Sequence, residues 1–183
     1  KTIVIKWNIK CNTHNIIIMY IPFAEMPGHS KIWIFQSDKE LSSQHEHFLK
    51  QALLIFIEQW TAHQHSLKAS FEILHHYFII IAVDESHNDA SGCSIDKVFA
   101  TVKQLGNNTG LDFFNRLNIV TKIQDTIKLY HPDQLIKEIS VNVNETLVFN
   151  NLIDKKSDLE TKWLIPIQQS WLANRYNLTI NKS

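Results

Sequence analysis

Apolar residues along this chain follow two rhythms, and the rhythms lay out its elements. Lys31-Ile32-Trp33-Ile34-Phe35-Gln36 is apolar on both alternating faces, which predicts a strand covered on both sides. Between Ser43 and His63 the spacing becomes helical. Leu49, Ala52, Leu53, Phe56, Ile57 and Trp60 make one stripe, with Lys50, Gln51 and Glu58 opposite. Ser43 and Glu46 have the spacing of a capping box at the start of that helix. Ala69–Leu74 and Tyr77–Asp84 then predict a hairpin about His75-His76, two residues poorly suited to a type I′ turn. Ile95, Val98, Phe99, Val102 and Leu105 predict a helix from Ser94 to Leu105, stopped by Gly106.

The second half is more broken. Asn118–Ile123 and Thr126–Tyr130 predict strands around Gln124-Asp125. His131-Pro132-Asp133 opens a short helix through Ile139, with proline at the first helical position. Thr146–Phe149 predicts one more strand. Ser157 and Glu160 repeat the capping-box spacing ahead of Leu159, Trp163 and Leu164, in a helix that Pro166 breaks or restarts and that carries Trp171 on its last turn. From 31 to 123 the order is strand, helix, strand, strand, helix, strand. That is the ferredoxin-like order, so the expectation is an α+β domain with a largely antiparallel sheet and a C-terminal helical extension. Residues 19–172 are expected to form one globular domain, with 1–18 an N-terminal extension and 173–183 a flexible tail.

Composition narrows the function classes. The chain has 183 residues, enough for a core without disulfide or metal staples. Lys plus Arg and Asp plus Glu number 18 each, which gives no electrostatic footprint for nucleic acid. The apolar run Ile16–Ala24 is too short for a bilayer and is interrupted by Pro22, so no membrane insertion is expected. Two cysteines, Cys11 and Cys93, make no disulfide framework, and a reducing, cytoplasmic setting follows. Ten histidines form no His-Glu-x-x-His pattern, and His45 and His47 are two apart on a helix, facing different ways. No metal and no cofactor are expected. Trp33, Trp60, Trp163 and Trp171 divide between core packing and the lining of a pocket, and Asn150-Asn151 between a turn and a ligand clamp.

The densest chemistry lies where the strand ending at Asp84 passes through Glu85-Ser86 to Ala90-Ser91-Gly92-Cys93-Ser94-Ile95-Asp96. A strand–loop–helix junction collects free N–H donors and the positive end of a helix dipole, so it suits an anion or an activated thiol. Two readings follow. In the first, Asp84, Ser86, Ser91, Gly92, Ser94 and Asp96 bind an anionic small molecule or a partner protein. In the second, Cys93 is the nucleophile of a thiol enzyme, with His63 or His87 as base and Asp84 orienting it. Against these stand plainer roles: Cys93 packed beneath the loop, Ser91, Ser94 and Asp96 as helix caps, and Asp84 bonded to loop N–H groups.

Met19-Tyr20-Ile21-Pro22-Phe23, Trp60-Thr61-Ala62-His63, Val83-Asp84-Glu85-Ser86, Ala90 to Asp96, Phe149-Asn150-Asn151-Leu152 and Ser170-Trp171 resemble blocks of a small bacterial family often labelled "ABC transporter ATPase". The resemblance spans roughly Met19 to Trp171 and implies no particular catalytic residue. Leu172 stands where members tend to place a histidine. The label itself meets a chemical obstacle. A nucleotide-binding loop needs Gly-x4-Gly-Lys-Ser/Thr, and none of Gly28, Gly92, Gly106 and Gly110 begins one.

Overall fold

The computed structural model describes residues 21–62, 65–86 and 92–178. In chain order these form β1 (Lys31–Gln36), α1 (Ser43–Gln59), β2 (Thr61–Ala62), β3 (His65–Ser66), β4 (Lys68–Leu74) and β5 (Phe78–Asp84). There follow α2 (Gly92–Thr109), β6 (Ile119–Ile123), β7 (Thr126–Tyr130), α3 (Pro132–Asn142), β8 (Thr146–Phe149), β9 (Leu164–Pro166) and α4 (Trp171–Tyr176). The fold is α+β. One antiparallel sheet has the order β1-β5-β4 and a second the order β7-β6-β8-β9, with β2 and β3 paired as a minor hairpin.

Three apolar clusters stack these elements in four layers. On one face of β1-β5-β4, Phe35, Phe71, Ile79 and Ile81 meet Leu49, Leu53 and Ile57 of α1 and Val98 and Val102 of α2. On its other face Ile32, Phe78, Ile80 and Ala82 meet Val120 and Phe149 of the second sheet and Trp163 just ahead of β9. The far side of that sheet is closed by Leu135 and Ile139 of α3 and Leu172 of α4 against Ile119, Tyr130 and Val148. Every residue of β5 is buried, which is why its sequence carries no polar alternation before Asp84.

The ferredoxin-like arrangement is not what forms. β1, β5 and β4 take three adjacent places of such a sheet, but β6 does not return to pair with β1. It pairs instead with β7, across a two-residue turn at Gln124-Asp125, and with β8. The outer edge of β1 is therefore left without a full strand. Among the described residues only the segment 154–156 bonds its backbone there, through Ile32 N–H to Asp154 O at 2.8 Å and Lys156 N–H to Ser30 O at 2.9 Å.

Several boundaries also move. The cap of α1 is Ser42, not Ser43: its hydroxyl accepts from the His45 N–H and the His45 ring accepts from the Ser42 N–H. His45 does the work expected of a glutamate, which frees Glu46 to hold His76 Nδ1 at 2.7 Å. α1 ends at Gln59 rather than His63. Gly106 lies inside α2 and does not stop it. A Cβ there would stand 2.6 Å from the Leu111 carbonyl oxygen, so glycine answers a close backbone approach. The terminating glycine is Gly110, in the left-handed region at φ 69°.

The hairpin between β4 and β5 forms with both His75 and His76 at positive φ, 56° and 59°. Their side chains explain the choice. His75 lies against Phe149 and Trp163, at ring separations of 5.2 and 5.5 Å, and His76 bonds to Glu46. Burial first, then the charges of Lys122 and His76, push the His75 imidazole below its ordinary pKa. The helix expected after Ser157 is a single 3-10 turn, Lys156–Leu159. The chain then extends as β9, with Pro166 on a sheet edge where its missing N–H is tolerated. The C-terminal helix is α4, capped by Ser170, so Trp171 is its first residue and not on a last turn. Residues 173–178 belong to it or pack beside it, with Tyr176 and Leu178 against the third cluster, rather than to a flexible tail. The expected extension at 1–18 lies outside the described residues, as do Cys11 and Met19.

Candidate functional site

Asp84 ends β5 and is 5% exposed. The hairpin register places Lys68 directly opposite, and Lys68 Nζ reaches Asp84 Oδ2 at 2.9 Å. The other oxygen is more crowded. Oδ1 accepts from Ser86 Oγ at 2.6 Å, from the Ser86 N–H at 3.1 Å and from His29 Nε2 at 3.2 Å. His29 arrives on the loop before β1, and its Nε2 also lies 2.8 Å from Ser86 Oγ. Hydrogen bonding by the Ser86 hydroxyl above all, with Lys68, the Ser86 N–H and His29 assisting and burial opposing, holds the Asp84 carboxyl far below the usual range.

Serine, histidine and aspartate meet here, but not as a hydrolytic triad. A triad needs the carboxylate on one ring nitrogen and the hydroxyl on the other, so that a proton can pass through the imidazole. Both partners of His29 use Nε2. The Ser86 proton already points to Asp84, and both carboxylate oxygens are engaged, Oδ1 by Ser86 and His29 and Oδ2 by Lys68. The cluster is a latch tying the strand end, the loop beyond it and the loop before β1.

The remaining expected residues do not converge on it. Gly92 and Cys93 open α2 at the surface, and Asp96 is exposed one turn on. Cys93 is a free, exposed thiol, so it is not packed beneath the loop. Among the described residues neither it nor Asp96 bonds to Asp84 or Ser86. Ser94 is buried, and its carbonyl accepts from Trp60 Nε1 at 3.0 Å, fixing α2 to the end of α1. His63, His87 and Ser91 lie outside the described residues. Among the described residues no group of three His, Cys, Asp or Glu side chains could hold a metal ion, and no helix is long and apolar enough to cross a membrane.

A second feature carries more unused capacity. Beside the outer edge of β1 runs a groove of about 790 Å³, walled by the 113–119 segment, the loop after β8 and the start of α4. That volume is ordinary for a ligand cleft. Phe99, Phe114, Leu152 and Trp171 line it, four of the seven large apolar side chains the described surface exposes. Gathered around one concavity, these four differ from exposed apolar residues scattered singly over a surface. Trp33 also lines the groove, while Trp60 and Trp163 are core residues.

An amide network stiffens the groove. Gln36 donates to the Asn118 carbonyl at 2.9 Å and accepts from Asn151 at 3.2 Å, and Asn151 in turn accepts from Trp163 Nε1 at 3.0 Å. Asn150 closes the turn after β8 by accepting from the Leu152 N–H at 3.3 Å. The Asn150-Asn151 pair is thus both a turn device and part of the groove wall. Arg116 and Lys31 bring positive charge and Asp154 negative charge to the lining, and none of the three forms an ion pair among the described residues.

Of the participants missed in the sequence, Lys68 lay one register step away: a two-residue turn at 75–76 would pair residue 68 with 83, and the three-residue turn at 75–77 that forms pairs it with 84. His29 was not, since nothing local ties it to β5. The groove needed the two sheets in place. No protein-family model, no curated protein and no solved structure matches this chain.

Proposed function

We propose that this protein is a binding module whose ligand lies in the groove beside β1, and that the junction at 84–96 supports that scaffold. The carrying observation is the gathering of Phe99, Phe114, Leu152 and Trp171 around one concave surface with polar groups among them. Phe99 and Phe114 pack partly on Phe35, but their outer faces stay exposed beside Leu152 and Trp171, and a ligand that covers all four is the economical explanation. An anion at the Asp84 end is less favoured. A fully ionised carboxylate stands there, and the nearest cation, Lys68, is already committed to it.

Titration with the apolar dye 8-anilinonaphthalene-1-sulfonate tests the choice. Native protein should bind the dye with saturable fluorescence. Trp171→Ala should weaken binding about tenfold, while Ser86→Ala leaves it unchanged. Equal response to both substitutions, or no native binding, would sink the groove reading.

One observation keeps a second reading in view. Cys93 is a free, solvent-exposed thiol in the first turn of an 18-residue helix, open to an incoming electrophile. As the nucleophile of a thiol enzyme it would react with iodoacetamide much faster than a free peptide thiol, in protein carrying Cys11→Ser. Alkylation at the rate and pH of a free peptide thiol would leave Cys93 without a chemical role.

A further inference from the structure

The groove has a hydrogen-bonding wall, and its pattern follows from strand register. In β1 the odd residues Lys31, Trp33 and Phe35 exchange backbone bonds with β5, because Ile32 spends its N–H on Asp154 on the opposite side. The even residues therefore face away from β5. Past Ile32, the segment 154–156 leaves the edge. At the other end Asp38 N–H bonds to the Asp112 carbonyl at 2.9 Å, and Asn118 meets the Asp38 carbonyl. Between these brackets the N–H and C=O of Ile34 and the N–H of Gln36 point into the groove, and among the described residues they have no backbone partner. This is the place left vacant when β6 joined the second sheet.

We infer that the groove receives an extended peptide segment of another protein, which pairs its backbone with Ile34 and Gln36 of β1 and carries an acidic residue toward Arg116. This rests on the groove being the binding face. Unsatisfied strand groups in a concave, partly apolar site are met best by another strand, whose alternate side chains then reach the flanking aromatic surface. Charge selects among occupants. Arg116 and Lys31 outweigh Asp154 in the lining, so an acidic segment is complementary. The chain's own residues 1–20 carry three lysines and no acid and are poorly matched. A second copy would have to bring an equally recessed β1 edge into the same groove.

The test is a random twelve-residue peptide library displayed on phage and panned against the intact chain. Selected sequences should alternate apolar residues with at least one Asp or Glu. Synthetic copies N-methylated at alternate residues should bind at least tenfold more weakly in one of the two phases, and Arg116→Glu should weaken the parent peptide by a similar factor. Full affinity of both N-methylated phases with loss in Trp171→Ala would overturn strand pairing and leave the groove as the binding face. Indifference to Trp171→Ala and Arg116→Glu alike would overturn both. Failure to select any peptide, or displacement of a selected one by a synthetic copy of residues 1–20, would overturn the proposed partner. Because the N-methyl readout alters only the peptide, it stands even where a protein variant folds poorly.

Discussion

The Asp84 cluster and the β1 groove sit at opposite extremes of hydrogen-bond economy. At Asp84 four donor atoms from three residues converge on one carboxylate, and each oxygen holds at least one of them. Along β1 a strand edge keeps donors and acceptors unused beside exposed aromatic rings. A saturated polar cluster rigidifies the fold, whereas an unsatisfied one set in a concavity invites a ligand. Chemically suggestive residue types are thus a weaker guide to function than the capacity those residues retain after folding.

The comparison breaks if the latch turns out to be dispensable for stability. Asp84→Ala should cost about 2–3 kcal/mol, because Lys68, Ser86 and His29 lose a shared acceptor at a buried strand end. Urea unfolding measures it, and dye binding in the groove should survive. The pH dependence sharpens the same point. The native Asp84 carboxyl is held below its ordinary value, so its stabilisation is complete above about pH 4 and is lost as pH falls through that value toward the depressed one. In Asp84→Asn the stability curve should be flatter below pH 4 than in the parent chain.

On the groove side the signs reverse. Trp171→Ala removes a half-exposed ring and should shift stability by no more than about 0.5 kcal/mol. Its tenfold loss of ligand binding corresponds to about 1.4 kcal/mol. A smaller effect separates scaffold from site elsewhere. Gln124 stands at φ 53° in the β6–β7 turn, and Gln124→Gly should raise stability by about 0.5–1 kcal/mol without touching binding.

Legibility in the sequence followed the range of the interactions. The stripe of α1, the β4–β5 hairpin and the β6–β7 hairpin depend on neighbours within a turn or a strand, and their residues stand where the spacing placed them. Boundaries failed where an unusual residue replaced the expected one, as His45 did in the cap of α1 and Gly106 did within α2. The pairing of β6 with β8 rather than β1 was illegible, because Val120 reads equally well against either sheet. The groove inherits that uncertainty, since it exists only because β6 left the edge of β1.

Amide hydrogen exchange along β1 in the free protein tests the central claim most directly. Trp33 and Phe35 donate to β5 and should exchange slowly, while Ile34 and Gln36 between and beyond them should exchange at least a hundredfold faster. Uniform slow exchange from Trp33 to Gln36 would mean that the outer edge is already paired, and the account of the groove as an open binding face would fall.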